Sequence, residues 1–197
     1  MYRHLALISL LGFTPLLAHS TDLQRAQEIV EQKCHLCHGT DGEASNAIYP
    51  RLAAQNAEYI TKQLADFKSG RRRGTMNTMA ADLTGDEMSA LGAYFAAKPA
   101  KAHRVRNKEL AGVGLYLFKQ GNQYSGIAAC KSCHGEGGKG TKSLPRLAGQ
   151  HKRYLISQLD DFRNNVRTDD NGIMNAIAEN LTELEVEALA NYISGME

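Results

Sequence analysis

The chain of 197 residues sets 23 Lys and Arg against 21 Asp and Glu, a formal charge of +2 that creates no strong global field, so no nucleic-acid partner is expected. Its 43% hydrophobic content without a single Trp fits a soluble protein, and its length allows one ordinary domain or two small ones. A domain of about 80 residues buries only a modest apolar core, so two small domains would need something other than side chains at their centres.

The chain opens with Met1-Tyr2-Arg3-His4, a nearly unbroken apolar run from Leu5 to Leu17, and small residues in Ala18-His19-Ser20. This is the pattern of a secretory signal peptide over residues 1–20, with the mature chain starting near His19 or Thr21. An uncleaved anchor is the competing reading, but the run falls short of the roughly 20 residues that span a bilayer. Loss of the leader removes Arg3 and takes the formal charge to +1.

Asp22 to Lys33 is predicted helical, with Leu23, Ala26, Ile29 and Val30 at helical spacing, and it delivers the chain into Cys34-His35-Leu36-Cys37-His38. A turn-rich passage, Gly39-Thr40-Asp41-Gly42, precedes Pro50-Arg51-Leu52-Ala53. A second helix is expected over Glu58 to Lys68, with Ile60, Leu64 and Phe67 on one face and Gly70 as its stop. The loop Arg71-Arg72-Arg73-Gly74-Thr75 leads to Met76. A closing helix opens on the capping box Thr84-Gly85-Asp86-Glu87 and runs toward Ala97.

The second half repeats this order. Cys130-Lys131-Ser132-Cys133-His134 matches the first cysteine motif, and Pro145-Arg146-Leu147-Ala148 matches the first Pro-Arg segment. Tyr154, Leu155, Leu159 and Phe162 match Tyr59, Ile60, Leu64 and Phe67, and a second capping box, Thr182-Glu183-Leu184-Glu185, opens a helix ending near Tyr192. The expected organisation is a first domain over 21–98, a basic linker over 99–108 with Lys101, Arg104, Arg106 and Lys108, and a second domain over 109–197. No alternating strand pattern is present, so each domain should be all-α with long loops.

Both cysteine motifs have the form Cys-x-x-Cys-His, the attachment pattern for a c-type haem. One thiol adds to each haem vinyl group and the adjacent imidazole meets the iron, so Cys34, Cys37, Cys130 and Cys133 would hold two haem c groups covalently, with His38 and His134 as proximal ligands. A disulfide has no use for the histidines. A single four-thiolate zinc site would leave them unexplained and would need cysteine pairs far wider apart than in zinc ribbons.

These motifs, the proline about a dozen residues after each haem histidine, a methionine about 40 residues after it and an aromatic in each closing helix together resemble a tandem pair of class I cytochrome c domains. Two in one exported chain resemble the dihaem cytochrome c4 family. The resemblance implies a periplasmic electron carrier with one haem wrapped in each all-α domain. It also implies that the Pro50 and Pro145 carbonyls accept from the haem histidines. A distal thioether ligand favours ferrous iron. Aligning the halves from the closing helix backwards sets Met76-Asn77 on Met174-Asn175 and makes Met76 and Met174 the ligands. Aligning forward from Phe67 and Phe162 favours Met79 instead, packed otherwise as a core residue. Arg51 and Arg146, backed by Tyr59 and Tyr154, are candidates for the haem propionates, against a plain solvated role. His35, His103 and His151 read as surface residues.

Two six-coordinate irons leave no position for a substrate, which points to a carrier and not an enzyme. The expected partners are a quinol-oxidising complex as donor and a terminal oxidase or reductase as acceptor, with loose membrane association. The competing functions are a cytochrome subunit of a dehydrogenase and a dihaem peroxidase. Arg71, Arg72 and Arg73 are either a docking patch for an acidic partner or a solvated loop; the corresponding loop of the second half sets Asp169 and Asp170 against Arg167.

Overall fold

The computed structural model describes residues 16–101, 103–105, 107–168 and 171–197. Most of the leader, Arg106, and the pair Asp169 and Asp170 lie outside these residues.

The first half begins with α1 (Leu16–Ile29), which continues through one π-type turn, Val30–Cys34, into α2 (His35–His38). It then forms α3 (Ala57–Ser69), α4 (Met76–Ala80) and α5 (Gly85–Ala96). The second half repeats the order with α6 (Lys108–Gln120), α7 (Lys131–His134), α8 (Lys152–Arg163), α9 (Ile173–Glu179) and α10 (Glu183–Ser194). No strand forms among the described residues, and one isolated antiparallel bridge joins Asn122 to Ile127. The two halves differ at their entry. Where α1 runs unbroken into its motif, α6 stops at Gly121, whose left-handed φ of 70° turns the chain into an extra loop before Cys130.

Each half buries one apolar cluster. In the first, Ala26, Ile29 and Val30 meet Ile60, Leu64, Leu83, Leu91 and Phe95; in the second, Leu117 and Phe118 meet Leu155, Leu181, Leu189 and Ile193. Leu23, expected on the α1 stripe, is exposed, whereas Ala26, Ile29 and Val30 of the same stripe are buried. Both capping boxes form. Thr84 Oγ1 accepts from the Glu87 N–H at 3.1 Å and the Glu87 carboxylate accepts from the Thr84 N–H at 2.9 Å. Thr182 and Glu185 do the same at 3.3 and 2.9 Å. Each cap contributes about 1 kcal/mol to starting its helix where the sequence places it. Gly70, at φ 77°, ends α3 as expected.

No helix among the described residues is long and apolar enough to cross a membrane.

Candidate haem centres

The last turn of each motif helix delivers its histidine inward. His38 is 6% exposed and donates from Nδ1 to the Pro50 carbonyl at 3.0 Å; His134, 7% exposed, donates to Pro145 at 3.2 Å. A carbonyl only accepts, so each Nδ1 carries the proton and each Nε2 keeps its lone pair for a metal. Burial takes both imidazoles below their ordinary pKa, and the carbonyl bond only partly opposes it. Neutral imidazole is the form that binds iron.

Cys34, Cys37 and Cys130 are half-buried, Cys133 is exposed, and none is in a disulfide. Burial pushes the Cys34 thiol up and Cys130 up to about 11, so these sulfurs are thiols and not ready-made thiolates. No group of three or more His, Cys, Asp or Glu among the described residues is placed to hold a metal ion. The four cysteines therefore do not converge, and the zinc reading falls. What remains at each motif is a pair of free cysteines and a neutral, oriented imidazole, a donor set that fits a covalently attached haem.

A second feature fits the same group. Arg146 is half-buried, its Nε is buried without a hydrogen-bond partner, and burial lowers its pKa. An anionic acceptor such as a haem propionate is what that donor lacks. Its counterpart Arg51 is already engaged. Its Nε lies 3.0 Å from the Glu43 carboxylate, its Nη1 donates to the Gly149 carbonyl of the other half, and its Nη2 donates to His103 Nδ1 at 3.2 Å. The difference is legible in the repeat, since the residue after Gly42 is Glu43 whereas the residue after Gly138 is Lys139.

Met76 is half-buried at the start of α4 and packs against the first apolar cluster, whereas Met79 is 41% exposed and outside it. Met79 is thus not the core residue expected. Met174 is half-buried on α9. The residues after Met76 and Met174 do the same job. Asn77 Nδ2 donates to the carbonyls of Phe67 and Arg72, and Asn175 Nδ2 donates to those of Phe162 and Arg167. The extra residues of the second half fall between Arg167 and Met174.

The three loop arginines do not form one patch. Arg71 pairs with Asp66 at 2.6 Å. Arg72 turns inward over the Phe67 ring, 4.6 Å from its centroid, and reaches Tyr154 and Gln158 of the other half at 3.0 and 2.6 Å. Only Arg73 points out with no ion pair or hydrogen bond among the described residues. Tyr59 and Tyr154 are likewise committed across the interface, Tyr59 accepting from Arg167 at 2.8 Å, and do not stand behind Arg51 and Arg146.

Three histidines also depart from expectation. His151 donates from Nε2 to the Ala44 carbonyl of the first half at 2.8 Å, and His103 sits between Arg51 and Glu43. His35 is half-buried with its Nδ1 enclosed and unpartnered. Sequence reasoning also missed Gln55 and Gln150, each 6% exposed at the seam between the halves. The signal was available, because both sit five residues after a repeated proline.

Residues 21–95 match the family model described as cytochrome C oxidase, cbb3-type, subunit III, and residues 118–197 match that described as cytochrome c. The chain is 39% identical to cytochrome c4 of Thiocapsa roseopersicina over 179 residues, covering 89% of this chain and 93% of that one. It is also 39% identical to the thiosulfate dehydrogenase electron acceptor of Stutzerimonas stutzeri, covering 83% of this chain and 78% of that protein. The crystal structure of reduced recombinant cytochrome c4 from Pseudomonas stutzeri superposes with a TM-score of 0.82 at 33% identity, covering 89% of this chain and 98% of that chain. The repeat, the two inward histidines and these matches place the chain in the cytochrome c4 family: it is a dihaem electron carrier with one covalently bound haem c in each of its two tandem domains.

Proposed function

We propose that this chain carries electrons through the periplasm from a quinol-oxidising complex toward a terminal oxidase. The leader over 1–20 is removed, domain 1 spans 21–98, the basic linker 99–108 and domain 2 109–197. Cys34 and Cys37 hold the first haem and Cys130 and Cys133 the second. His38 with Met76, and His134 with Met174, would supply the ligands that hold the two irons. When bound, each haem supplies a one-electron ferric/ferrous couple, raised in potential by the thioether ligand. The protein's part is to hold the imidazoles, exclude water and offer Arg146 to a propionate.

The observation that supports this reading is the matched use of Asn77 and Asn175, each following a half-buried methionine, in two halves that each also bury one carbonyl-bound histidine. The same asparagines argue against a peroxidase. Such an enzyme needs an open iron position and a positioned acid–base group, and the asparagine that follows each methionine is tied to backbone carbonyls.

A second acceptor role is favoured by the Stutzerimonas stutzeri relative, whose name makes it the electron acceptor of a thiosulfate dehydrogenase. Stopped-flow oxidation of the reduced protein by terminal-oxidase membranes, and reduction of the ferric protein by a thiosulfate dehydrogenase with its substrate, separate the two. Rapid oxidation by the membranes with slow reduction by the dehydrogenase is the expected result, together with ferrous spectra unmoved by carbon monoxide at neutral pH. Carbon monoxide binding at one haem with saturable peroxide turnover would overturn the carrier reading.

A further inference from the structure

Pro50 and Arg51 share one peptide group. Its carbonyl takes the Nδ1–H of His38 at 3.0 Å, while its N–H is held at 2.8 Å by Oε1 of Gln150, a residue of the other half. The mirror arrangement exists in the second half. The carbonyl of the Pro145–Arg146 peptide takes His134 at 3.2 Å, and its N–H is held at 2.7 Å by Oε1 of Gln55. Each glutamine also donates Nε2 to the carbonyl of the same arginine, at 3.0 Å for Gln150 and 2.9 Å for Gln55. Each Oε1 accepts a further N–H from the next residue in its own chain segment, His151 at 2.9 Å and Asn56 at 3.1 Å, which fixes which end of the amide is oxygen.

The crossing is selective. The N–H groups of Leu52 and Ala53 both go to the Gly42 carbonyl of their own half, and those of Leu147 and Ala148 both go to Gly138. Only the N–H in the peptide that orients the histidine is handed to the opposite half. Holding a peptide's N–H polarises its carbonyl and makes that oxygen a stronger acceptor, because hydrogen bonds in a chain reinforce one another. A stronger acceptor draws on the imidazole Nδ1–H, makes Nε2 more basic, and so favours ferric iron.

We propose that Gln150 and Gln55 are positioning residues that tune the haem centres crosswise, Gln150 setting the electron donation of His38 and Gln55 that of His134. This rests on the reading that His38 and His134 are the axial ligands. The potentials of both centres then depend on the seam between the halves, because opening it raises the two together.

The test is proton NMR of the ¹⁵N-histidine-labelled, haem-loaded full chain in the ferrous state, following the Nδ1–H signals of His38 and His134, with spectropotentiometry of both haems. Gln150→Leu should move the His38 signal upfield, raise the potential of the first haem, and leave the His134 signal in place. Gln55→Leu should do the reverse. Gln150→Glu keeps an acceptor oxygen and should return the His38 signal to its native position or further downfield. Signals that follow the glutamine's own half, that move equally in both halves, or that stay still would overturn the proposal. Failure of the ligand reading is distinguishable, since the unsubstituted protein would then lack a haem-shifted Nδ1–H for that histidine, and the proposal would fall with it.

Discussion

Arg72 of the first domain donates to the Tyr154 hydroxyl of the second at 3.0 Å, and Arg167 returns the bond to Tyr59 at 2.8 Å. The two guanidinium groups also share Gln63 and Gln158 as acceptors and each lies over a phenylalanine, Phe67 or Phe162, 4.6 Å from its centroid. Burial alone would raise the Tyr154 hydroxyl, but Arg72 and Arg167 beside it reverse the shift and hold it lower. Arg72→Ala should therefore destabilise the protein by about 1.5–3 kcal/mol, the range for hydrogen bonds from a charged donor. Arg73→Ala should stay within about 0.5 kcal/mol, as for an ordinary exposed residue. Denaturant unfolding followed at the Soret band checks both. A double-mutant cycle of Arg72→Ala with Tyr154→Phe should show a coupling of at least about 0.5 kcal/mol.

The methionine assignment makes a second prediction. Met76→Ala should remove one haem's share of the ferric methionine–iron charge-transfer band and lower that haem's potential. Met79→Leu, at a position 41% exposed, should keep the band and change stability by no more than about 0.5 kcal/mol. Near-infrared absorption and thermal melts of the two variants give the answer. A reversed pair of phenotypes would mean that the halves align forward from Phe67 and Phe162.

What the sequence shows and what it hides divide along a physical line. Local rules were enough for α3, which ends at Gly70, and for α5 and α10, which open on capping boxes whose two bonds both close within four residues of chain. The haem motifs were legible for the same reason, since two thiols and an imidazole that serve one group must be adjacent. The seam was not legible. Arg72, Tyr154, His151 and Gln150 carry side chains that are ordinarily solvated, and each is half-buried or buried only because the other domain covers it. No periodicity within one half announces that. The repeat did contain a clue, because Tyr59, Gln63 and Arg72 recur as Tyr154, Gln158 and Arg167, and exposed polar residues have no packing reason to recur as a set.

Acid should loosen the seam. Burial is the largest cause that takes His151 below its ordinary 6.5; the bond to Ala44 opposes it, Arg51 and His103 add to it, and Glu43 counters them. Burial and then Arg51 lower His103 in the same way, with Glu43 again opposing and Lys101 adding to the depression. A depressed folded-state pKa means that the unfolded chain binds more protons just below pH 6.5, so stability is full above that pH and falls as the pH drops toward the folded-state values. His151→Gln, which keeps a donor for Ala44, should flatten the stability profile below pH 6.5. Unfolding measured at half-unit steps tests this, and an unchanged slope in the variant would remove His151 from the account.

A close approach of α6 to α10 makes the final prediction, and two glycines on α6 supply opposite signs. A methyl group added at Gly114 would run into the Ala188 carbonyl oxygen and come within 2.6 Å of the Tyr192 Cβ, both on α10. Gly112, two residues earlier, would place a methyl group in open space. Neither glycine has a left-handed backbone, so alanine is conformationally acceptable at both. Gly112→Ala should then gain about 0.5–1 kcal/mol from helix propensity and reduced freedom of the unfolded chain. Gly114→Ala should lose about 1–3 kcal/mol, because α6 must move off α10 and Phe118, whose ring lies 5.6 Å from Tyr192, moves with it. For a chain of this size that separates the two melting temperatures by several degrees. Thermal unfolding followed by far-ultraviolet circular dichroism reads the difference directly. If Gly114→Ala melts at or above the temperature of Gly112→Ala, the close packing of α6 against α10 is not what holds the second domain together.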